Sequence, residues 1–510
     1  MAKSLEELLG SAEVAFSNGS YTEAENLLSA AVLLAESEHS EDESVDELTR
    51  AVVMDNLAEV YFEQGKFDKA EPLYKKALRI RERVLPAQHE DVVHSLNNLS
   101  ALYFHQGNLE EAEPICRKLI HIYCYALGED HPEVANCLNN LALLCKEKKR
   151  YSEAERLFQQ SLIIREKNLG MNHPDVGFGL ADLATLYQLQ NKLPDAEFLF
   201  RRSLSVLETA FGRTNPDLVP MLETIIFLLN EQGKYTEVEE FQRHLLELKE
   251  CTLAPNHPEV MASLQNLANY HFLQRNLDES EKLIKRLLSI KERSLPAYHP
   301  QIANSQSDLA LVFQAKGNFK SAETYLKSAL TAQEKSLPSD SEETATTINR
   351  LAYLYSSFGR WKESEGYWRR LLQQKEKLHG FKSPQVCESV YNLAMCTFKA
   401  GRNDESEALW ERLKALSPNL RDLAYATHYL AELARIKGDN EKAEELYLKA
   451  IDLKTKAFGA SHSEVAQSLE CYATLLAKTF RDDAAEHMRS CAKAILRSAQ
   501  LTASGQVPVR

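Results

Sequence analysis

The chain has 510 residues, and 60 Lys and Arg against 74 Asp and Glu give it a formal net charge of −14. Hydrophobic residues make up 44% and charged residues 26%, a balance typical of folded proteins that argues against wholesale disorder. The acidic balance disfavours general nucleic-acid binding, because a negative surface repels phosphate. With only 18 Gly and 16 Pro, the composition also argues against an all-β fold and long flexible linkers.

The sequence predicts neither membrane insertion nor secretion. It contains no run of 18 apolar residues. Its first ten residues, MAKSLEELLG, are acidic and lack the apolar core of a signal peptide. The nine cysteines form no C-x-x-C pair and lie within apolar helical patterns, which suits reduced thiols. We therefore expect a cytoplasmic protein.

A 42-residue repeat runs through the sequence. The segment LNNLSALYFHQGNLEEAEP, which begins at Leu96, recurs as LNNLALLCKEKKRYSEAER from Leu138. One polar residue precedes each Leu-Ala pair, or its variant, at 42-residue steps, and we call this set the polar column. Its members are Asn56, Asn98, Asn140, Asp182, Thr224, Asn266, Asp308, Arg350 and Asn392. The next step is 37 residues, to Tyr429, and the step after it is again 42.

The repeats predict a continuous solenoid of about twelve helix pairs over residues 1–499. A degenerate first unit occupies 4–34, an acidic insertion follows at 36–47, and 42-residue units run from about residue 50 onward. Residues 500–510 are predicted to be a disordered tail. Because one repeat cannot bury its apolar face alone, its stability should come from its stacked neighbours.

Each unit is predicted to contain two helices. The first, for example Val92–Gln106, has apolar residues three and four positions apart, which is the spacing of an amphipathic helix. The second, for example Glu110–Leu127, ends at Gly128, which we expect to be a left-handed C-cap. The next first helix should begin at His131 as N-cap, with Pro132 in its first turn.

Two columns of small residues are predicted to set the packing of the helices. One lies on the first helix of each unit and the other on the second, as at Ala142 and Ala154. Small residues on facing surfaces allow two helix axes to approach to roughly 8–10 Å. One unit breaks both columns with Ile226 and Val238 and carries Pro220 within its predicted first helix. We expect a local change in the curvature of the solenoid there, or a weak point that opens first.

These columns, together with the pattern of Leu, Gly, aromatic and Ala residues, resemble the tetratricopeptide repeat. The 42-residue period and the segment LGEDHPEVANCLNNLALL resemble the repeats of kinesin light chains. The resemblance implies an all-α, right-handed superhelical solenoid whose first helices line a concave groove that binds extended peptides. Kinesin light chains carry a heptad coiled coil ahead of their repeats. Here the repeats are predicted to begin almost at Met1 and to number twelve, so we do not expect motor association to carry over.

The polar column and its neighbours form the candidate binding site. Asn is a poor residue inside a helix, at a cost of roughly half a kcal/mol relative to Ala, so its recurrence suggests a use. A carboxamide can bond peptide N–H and C=O groups without regard to sequence. Members of the resembled family hold peptide backbones with Asn at this position. The candidate groove residues are Asn56, Asn97, Asn98, Asn136, Asn139, Asn140, Asn266, Asn304, Asn349, Arg350 and Asn392.

Flanking residues should set the preference of such a groove. Phe62, Phe104 and Lys146 lie in the last turn of their first helices, where aromatic rings could form pockets for apolar anchors. Two alternatives remain open. The amides could bond only between adjacent repeats, and the rings could simply pack beneath the next repeat.

No catalytic or metal site is predicted. The sequence contains no Gly-rich phosphate loop, H-E-x-x-H or G-x-S-x-G motif, and the repeats leave no residues for a catalytic domain. We therefore expect neither enzymatic activity nor a cofactor. Five connector histidines lie one or two repeats apart, too far for any two to share a zinc ion, so they are predicted to be N-caps. They are His89, His131, His173, His257 and His299.

The predicted function is that of a protein–protein interaction scaffold. It would bind an extended peptide segment of a protein partner in its concave groove, without binding nucleic acid. The alternative is a helical-repeat sensor or regulator that recognises a signalling peptide or nucleic acid.

Overall fold

A computed structural model describes residues 4–37, 43–338 and 340–503 of the chain. The chain divides into two compact units, Met1–Ala254 and Pro255–Arg510. Within the described ranges the secondary structure consists of helices and turns, with no β-strand. The predicted all-α repeat fold is confirmed.

The first compact unit contains twelve α-helices among its described residues, which pair in chain order. They are α1 (Leu5–Ser17), α2 (Tyr21–Ser37), α3 (Glu43–Glu63), α4 (Phe67–Val84), α5 (Glu90–His105), α6 (Leu109–Leu127), α7 (Pro132–Glu147), α8 (Tyr151–Leu169), α9 (Pro174–Leu189), α10 (Leu193–Phe211), α11 (Val219–Glu231) and α12 (Tyr235–Thr252). A 3₁₀ turn, Pro216–Leu218, precedes α11.

The second compact unit contains a further twelve α-helices in the part of the chain that the structure describes. They are α13 (Pro258–Leu273), α14 (Leu277–Ser294), α15 (Pro300–Ala315), α16 (Phe319–Ser336), α17 (Glu342–Ser357), α18 (Trp361–His379), α19 (Cys387–Lys399), α20 (Asn403–Leu416), α21 (Leu420–Lys437), α22 (Asn440–Phe458), α23 (Ser463–Lys478) and α24 (Asp482–Ala503). A second 3₁₀ turn, Pro384–Val386, precedes α19.

Two predicted boundary segments overlap helices. Of the acidic insertion at 36–47, residues 38–42 lie outside the described residues, and α3 already begins at Glu43. The segment predicted as a tail, 500–510, begins inside α24, which continues to Ala503. Residues 504–510 lie outside the described residues. None of the helices that the structure describes is both long and apolar enough to span a lipid bilayer.

The connector histidines cap the first helices, as predicted. Each ring accepts a hydrogen bond through Nδ1 from the backbone N–H two residues later, for example from Asp91 to His89 at 3.2 Å. The same bond occurs at His131, His173, His257, His299 and, unpredicted, His462. The prediction for Gly128 was wrong in detail. Its φ of 94° is positive, but its ψ of 158° is extended rather than left-handed helical.

Both columns of small residues are confirmed as packing positions. Ala142 on α7 and Ala154 on α8 are fully buried. Serine replaces alanine at three positions on the second helix; the hydroxyls of Ser364 and Ser406 are bonded, whereas Oγ of Ser280 is buried without a partner among the described residues. Ser364 donates to the Ala352 carbonyl at 2.8 Å, which removes the cost of burying a polar atom.

Pro220 lies within the first helix of its unit, as predicted, and does not interrupt it. The α-helix of that unit begins at Val219, so Pro220 lies in its first turn, where no intrahelical N–H bond is needed. A 3₁₀ turn also precedes α19, whose unit keeps the small residues Ala394 and Ser406. The bulky Ile226 and Val238 are therefore not required for a 3₁₀ turn before a first helix.

The turn between the two helices of a unit requires a residue with positive φ. Gly317 has a φ of 73°, and the exposed Arg275 occupies the same position one unit earlier with a φ of 62°. A side chain is strained in this conformation by about 1–2 kcal/mol, part of which the greater freedom of unfolded glycine offsets. We expect Arg275→Gly to raise the free energy of unfolding by about 0.5–1 kcal/mol in urea titrations.

The matched control for this change is Gly317→Ala. An added Cβ at Gly317 would meet no atom within 4 Å, so only the backbone conformation is penalised. This variant should lose about 1 kcal/mol. Equal stability of both variants and the parent protein would show that the turn relaxes without strain.

Candidate functional site

A cavity of about 370 Å³ opens between the first helices α5 and α7 of the first compact unit. Its polar lining includes Asn97, Asn98 and Asn140. Its apolar lining includes Phe104 and Leu143, together with side chains at the ends of these helices and on α6. Four of the predicted groove residues are therefore brought together around one recess.

The amides at this recess differ in exposure and in partners. Asn140 is exposed, whereas Asn97 and Asn98 are half-buried. The Asn98 amide lies 3.1 Å from Nε2 of His94 on its own helix. Burial raises the pKa of Tyr123, and the nearby Asn97 side chain opposes this shift. Asn98 and Asn140 thus keep amide groups at the cavity surface.

Asn56 lies at a separate cavity of about 440 Å³ between α1 and α3. The carboxylates of Glu13 and Glu59 share this cavity with apolar side chains, among them Phe16. Burial, together with the nearby Glu63 and Asp55 charges, raises the pKa of Glu59, and the His94 charge opposes this. The surroundings of Asn56 are therefore acidic.

Asn139 joins adjacent repeats instead of facing a recess. Its side-chain amide donates to Oδ2 of Asp182 on α9 at 2.9 Å, and its exposure is only 8%. Burial raises the pKa of the Asp182 carboxyl, while the Asn139 bond and the Lys146 charge oppose the shift. Gln265 occupies the equivalent position three units later, where it lowers the pKa of Asp308 against the larger effect of burial, and its amide donates to Asn269 of its own helix at 3.0 Å. At the position of Asn139, the amide therefore bonds between adjacent repeats, which is one of the two alternatives that the sequence left open.

The other predicted groove residues are dispersed along both compact units. Asn136 accepts a bond from Arg165 at 3.2 Å. Asn392 donates to the Tyr353 hydroxyl at 3.3 Å and to a carbonyl of its own helix. Asn266 is exposed, and the Oδ1 atom of Asn349 is buried without a partner among the described residues.

The flanking residues divide between packing and surface roles. The Phe62 ring contacts Phe67 and His105, with centroid distances of 5.6 and 5.2 Å, and packs against the core. Phe104 also packs against the core but lines the 370 Å³ cavity as well. Lys146 lies 3.8 Å from Glu147. Only Phe104 of these three lines that recess.

A second set of paired positions lies beneath the polar column. We define an inner pair as the residue before a polar-column member and the residue 26 positions later on the second helix of the same unit. Asp55 and Arg81 form a buried ion pair, and Glu223 accepts from Lys249 at 2.8 Å. The sequence signal was a basic residue recurring at multiples of 42 in second helices. The basic members are Arg81, Arg165, Lys249, Lys291 and Lys375.

The inner pairs vary in chemistry from unit to unit. The pair Ala181 and Leu207 is apolar, and the pair Ser307 and Gln333 is neutral and polar. Three basic members, Arg81, Arg165 and Lys291, also donate to a backbone carbonyl at the start of the next first helix. Arg81 donates to the Asp91 carbonyl at 3.3 Å. Inner pairs therefore help to fix each first helix against the unit before it.

Family models of the tetratricopeptide repeat match most of the chain. One matches residues 4–83, 49–124, 91–167, 144–209, 217–293 and 261–335, and a second matches 344–385 and 423–464. The chain belongs to the tetratricopeptide repeat family. Membership in this family supports a role as a protein–protein interaction scaffold. No curated protein matches the chain.

Several solved structures resemble this tetratricopeptide repeat protein. A Podosopora anserina protein described as a kinesin light chain with nearly identical repeats is 20% identical, with 49% of this chain and 97% of that chain covered and a TM-score of 0.24. Yeast Tom70 is 15% identical over 94% of this chain and 99% of its own, with a TM-score of 0.32. A Cytophaga hutchinsonii repeat protein is 12% identical over 55% and 96%, with a TM-score of 0.38.

Proposed function

We propose that the first compact unit binds an extended segment of a partner protein along its first helices. One apolar side chain of that segment would enter the 370 Å³ cavity, and the amides of Asn98 and Asn140 would bond its backbone. The observation that carries the proposal is the cavity itself, because it combines an apolar lining with amides that both donate and accept. A cytoplasmic location and a non-catalytic role belong to the same proposal.

The expected affinity follows from these contacts. A hydrogen bond to a peptide contributes about 1 kcal/mol net, and burial of one aliphatic or aromatic side chain contributes about 1.5–3 kcal/mol. Several amides acting with one anchor are consistent with micromolar binding, near −8 kcal/mol. The segment should therefore exchange readily.

The proposal predicts that Asn98→Ala combined with Asn140→Ala weakens the partner by about 2 kcal/mol, or roughly thirtyfold. The affinity of a partner captured with the parent protein is measured by calorimetry. Far-UV circular dichroism checks that helicity is unchanged. The control is Gln160→Ala, which removes an exposed amide from the second helix α8. Unchanged affinity in the double variant would reject the groove and leave these amides a structural role.

The alternative, a sensor or regulator that recognises a signalling peptide or nucleic acid, differs in its ligand. A signalling peptide could use the same cavity. Nucleic acid is disfavoured by the carboxylates of Glu13 and Glu59 beside Asn56, because they would repel a phosphate backbone. We therefore propose a polypeptide ligand.

A further inference from the structure

A small polar cavity of about 280 Å³ lies within the second compact unit, between α15, α16 and α17. It is lined by Asn304, Ser307, Asp308, Gln333, Glu343, Thr346, Thr347 and Arg350. Its volume is just below the range of small-molecule sites, so it suits a single side chain. Every lining side chain carries a hydrogen-bonding group.

Two buried atoms of this cavity have no partner among the described residues. Gln333 is 1% exposed and Ser307 is 4% exposed, yet Oε1 of the glutamine and Oγ of the serine form no hydrogen bond there. A buried acceptor without a donor is costly. Both side chains line the cavity, so a donor that enters it can satisfy them.

Comparison with the other inner pairs explains why the space is open here. In the preceding unit the basic member Lys291 donates to Ser305 at 2.9 Å and to the Gln301 carbonyl at 3.4 Å. In the Ser307 and Gln333 pair the cation is replaced by a shorter, neutral amide. The positive charge that other units place at this position is therefore missing.

The remaining charges favour a cationic ligand. Asp308 faces Arg350 at 3.7 Å, a loose ion pair in which both side chains are half-buried. Burial raises the pKa of the Asp308 carboxyl, and the Arg350 and Lys291 charges oppose this. Glu343 is exposed and forms no ion pair within the described ranges. The lining thus holds two carboxyl groups against one cation.

We propose that this cavity accepts the cationic end of a lysine or arginine side chain from a bound protein segment. The inference rests on the proposed function only in that it takes the ligand to be a protein segment. The ammonium or guanidinium N–H groups would donate to Gln333 Oε1 and Ser307 Oγ at the bottom of the cavity. The carboxylates of Asp308 and Glu343 would neutralise the charge at its mouth, since charged hydrogen bonds are about twice as strong as neutral ones.

The test measures saturation-transfer NMR signals from capped single residues mixed with the full-length protein. The cationic probes are the N-acetyl N-methylamides of lysine and arginine. The neutral probes are the same derivatives of norleucine, whose side chain is one atom shorter than that of lysine, and of citrulline, which matches arginine in length. We expect transfer to the cationic probes to exceed transfer to the neutral probes by about threefold or more.

The decisive variant is Ser307→Ala combined with Gln333→Leu, because it copies the apolar pair of Ala181 and Leu207 that the chain already contains. It should reduce transfer to the cationic probes to the level of the neutral ones. Glu343→Gln changes only an exposed residue and should weaken the lysine signal by about twofold even if the first variant folds poorly. Equal transfer to neutral probes, no transfer to cationic probes, or full retention in both variants would overturn the inference.

The variant with Asn98→Ala and Asn140→Ala separates this inference from the proposed function. It lies in the other compact unit and should keep full transfer to the cationic probes. If that variant loses partner affinity and the parent protein shows no transfer to the cationic probes, the proposed cation site is rejected and the groove is retained. If transfer to the cationic probes is observed and the variant keeps its partner affinity, the proposed groove is rejected and the cation site is retained.

Discussion

The second compact unit is expected to lose about 2 kcal/mol of its free energy of unfolding between pH 7 and pH 5 because of one buried histidine. His428 on α21 lies beneath the surface, with its Nδ1 atom 3.0 Å from the Ser468 hydroxyl on α23. Burial, and next the charge of Lys454, lower the pKa of this ring from 6.5 to about 3, while Glu432 opposes them. The folded protein therefore keeps His428 neutral.

The sign follows from proton binding. Below the ordinary pKa of histidine, the His428 ring binds a proton in the unfolded chain but not in the folded chain. Acid therefore favours unfolding. The stabilising contribution is complete above about pH 6.5 and is lost as the pH falls toward the folded value of about 3. The loss approaches about 1.4 kcal/mol per pH unit across that window.

Tryptophan fluorescence in urea titrations can measure this effect. All three tryptophans, Trp361, Trp368 and Trp410, belong to the second compact unit. The control combines His428→Leu with Ser468→Ala, which removes both the titrating ring and its partner. Its pH slope should be smaller by about 1 kcal/mol per pH unit below pH 6. Identical slopes would show that His428 is protonated within the folded unit.

In the first compact unit, Arg81→Leu is expected to cost about 3–5 kcal/mol. Arg81 is 4% exposed, pairs with Asp55 and also bonds the Ser95 hydroxyl. Burial raises the pKa of Asp55, and the Arg81 charge is the largest influence that opposes it. Removal of the arginine leaves a buried carboxyl without its counter-charge, which is the costly case for buried ion pairs.

The double variant Asp55→Ala with Arg81→Leu should recover most of that loss. It reproduces the inner pair of Ala181 and Leu207, and replacement of a buried ion pair by packed apolar residues is often neutral. Hydrogen exchange of α3, α4 and α5 measures the local free energy of opening in each variant. Additive losses from the two single changes would show that the side chains do not interact.

Much of the fold could be predicted from the sequence because the repeat is long and the same residue types recur at the same positions of each unit. The structure contains the helix pairs that the 42-residue spacing predicted. It also contains the packing positions predicted from the small residues and the N-caps predicted from the histidines. Gly128 was misjudged because a glycine at a helix end shows that φ can be positive but does not determine ψ. The position of Pro220 in the first turn of α11 was not predicted because a sequence pattern locates a helix start only to within a few residues.

The site was less predictable than the fold. The recurrence of asparagine was visible, but whether an amide faces a recess or the next repeat depends on how two helices pack. Asn140 is exposed and the adjacent Asn139 bonds Asp182, although both are asparagines of one helix. Arg350 was predicted as a groove residue, and its ion-pair partner Asp308 lies 42 residues earlier in the sequence. The partners of these side chains lie on adjacent repeats, and the packing of the repeats determines which side chains meet.

The histidine caps have a consequence for the position of a hydrogen atom. Because Nδ1 of each capping ring accepts a bond from a backbone N–H, the neutral imidazole must carry its own hydrogen on Nε2. One tautomer is thus selected at the start of each of these first helices. Each capped helix removes one backbone donor from solvent and presents a ring N–H in its place.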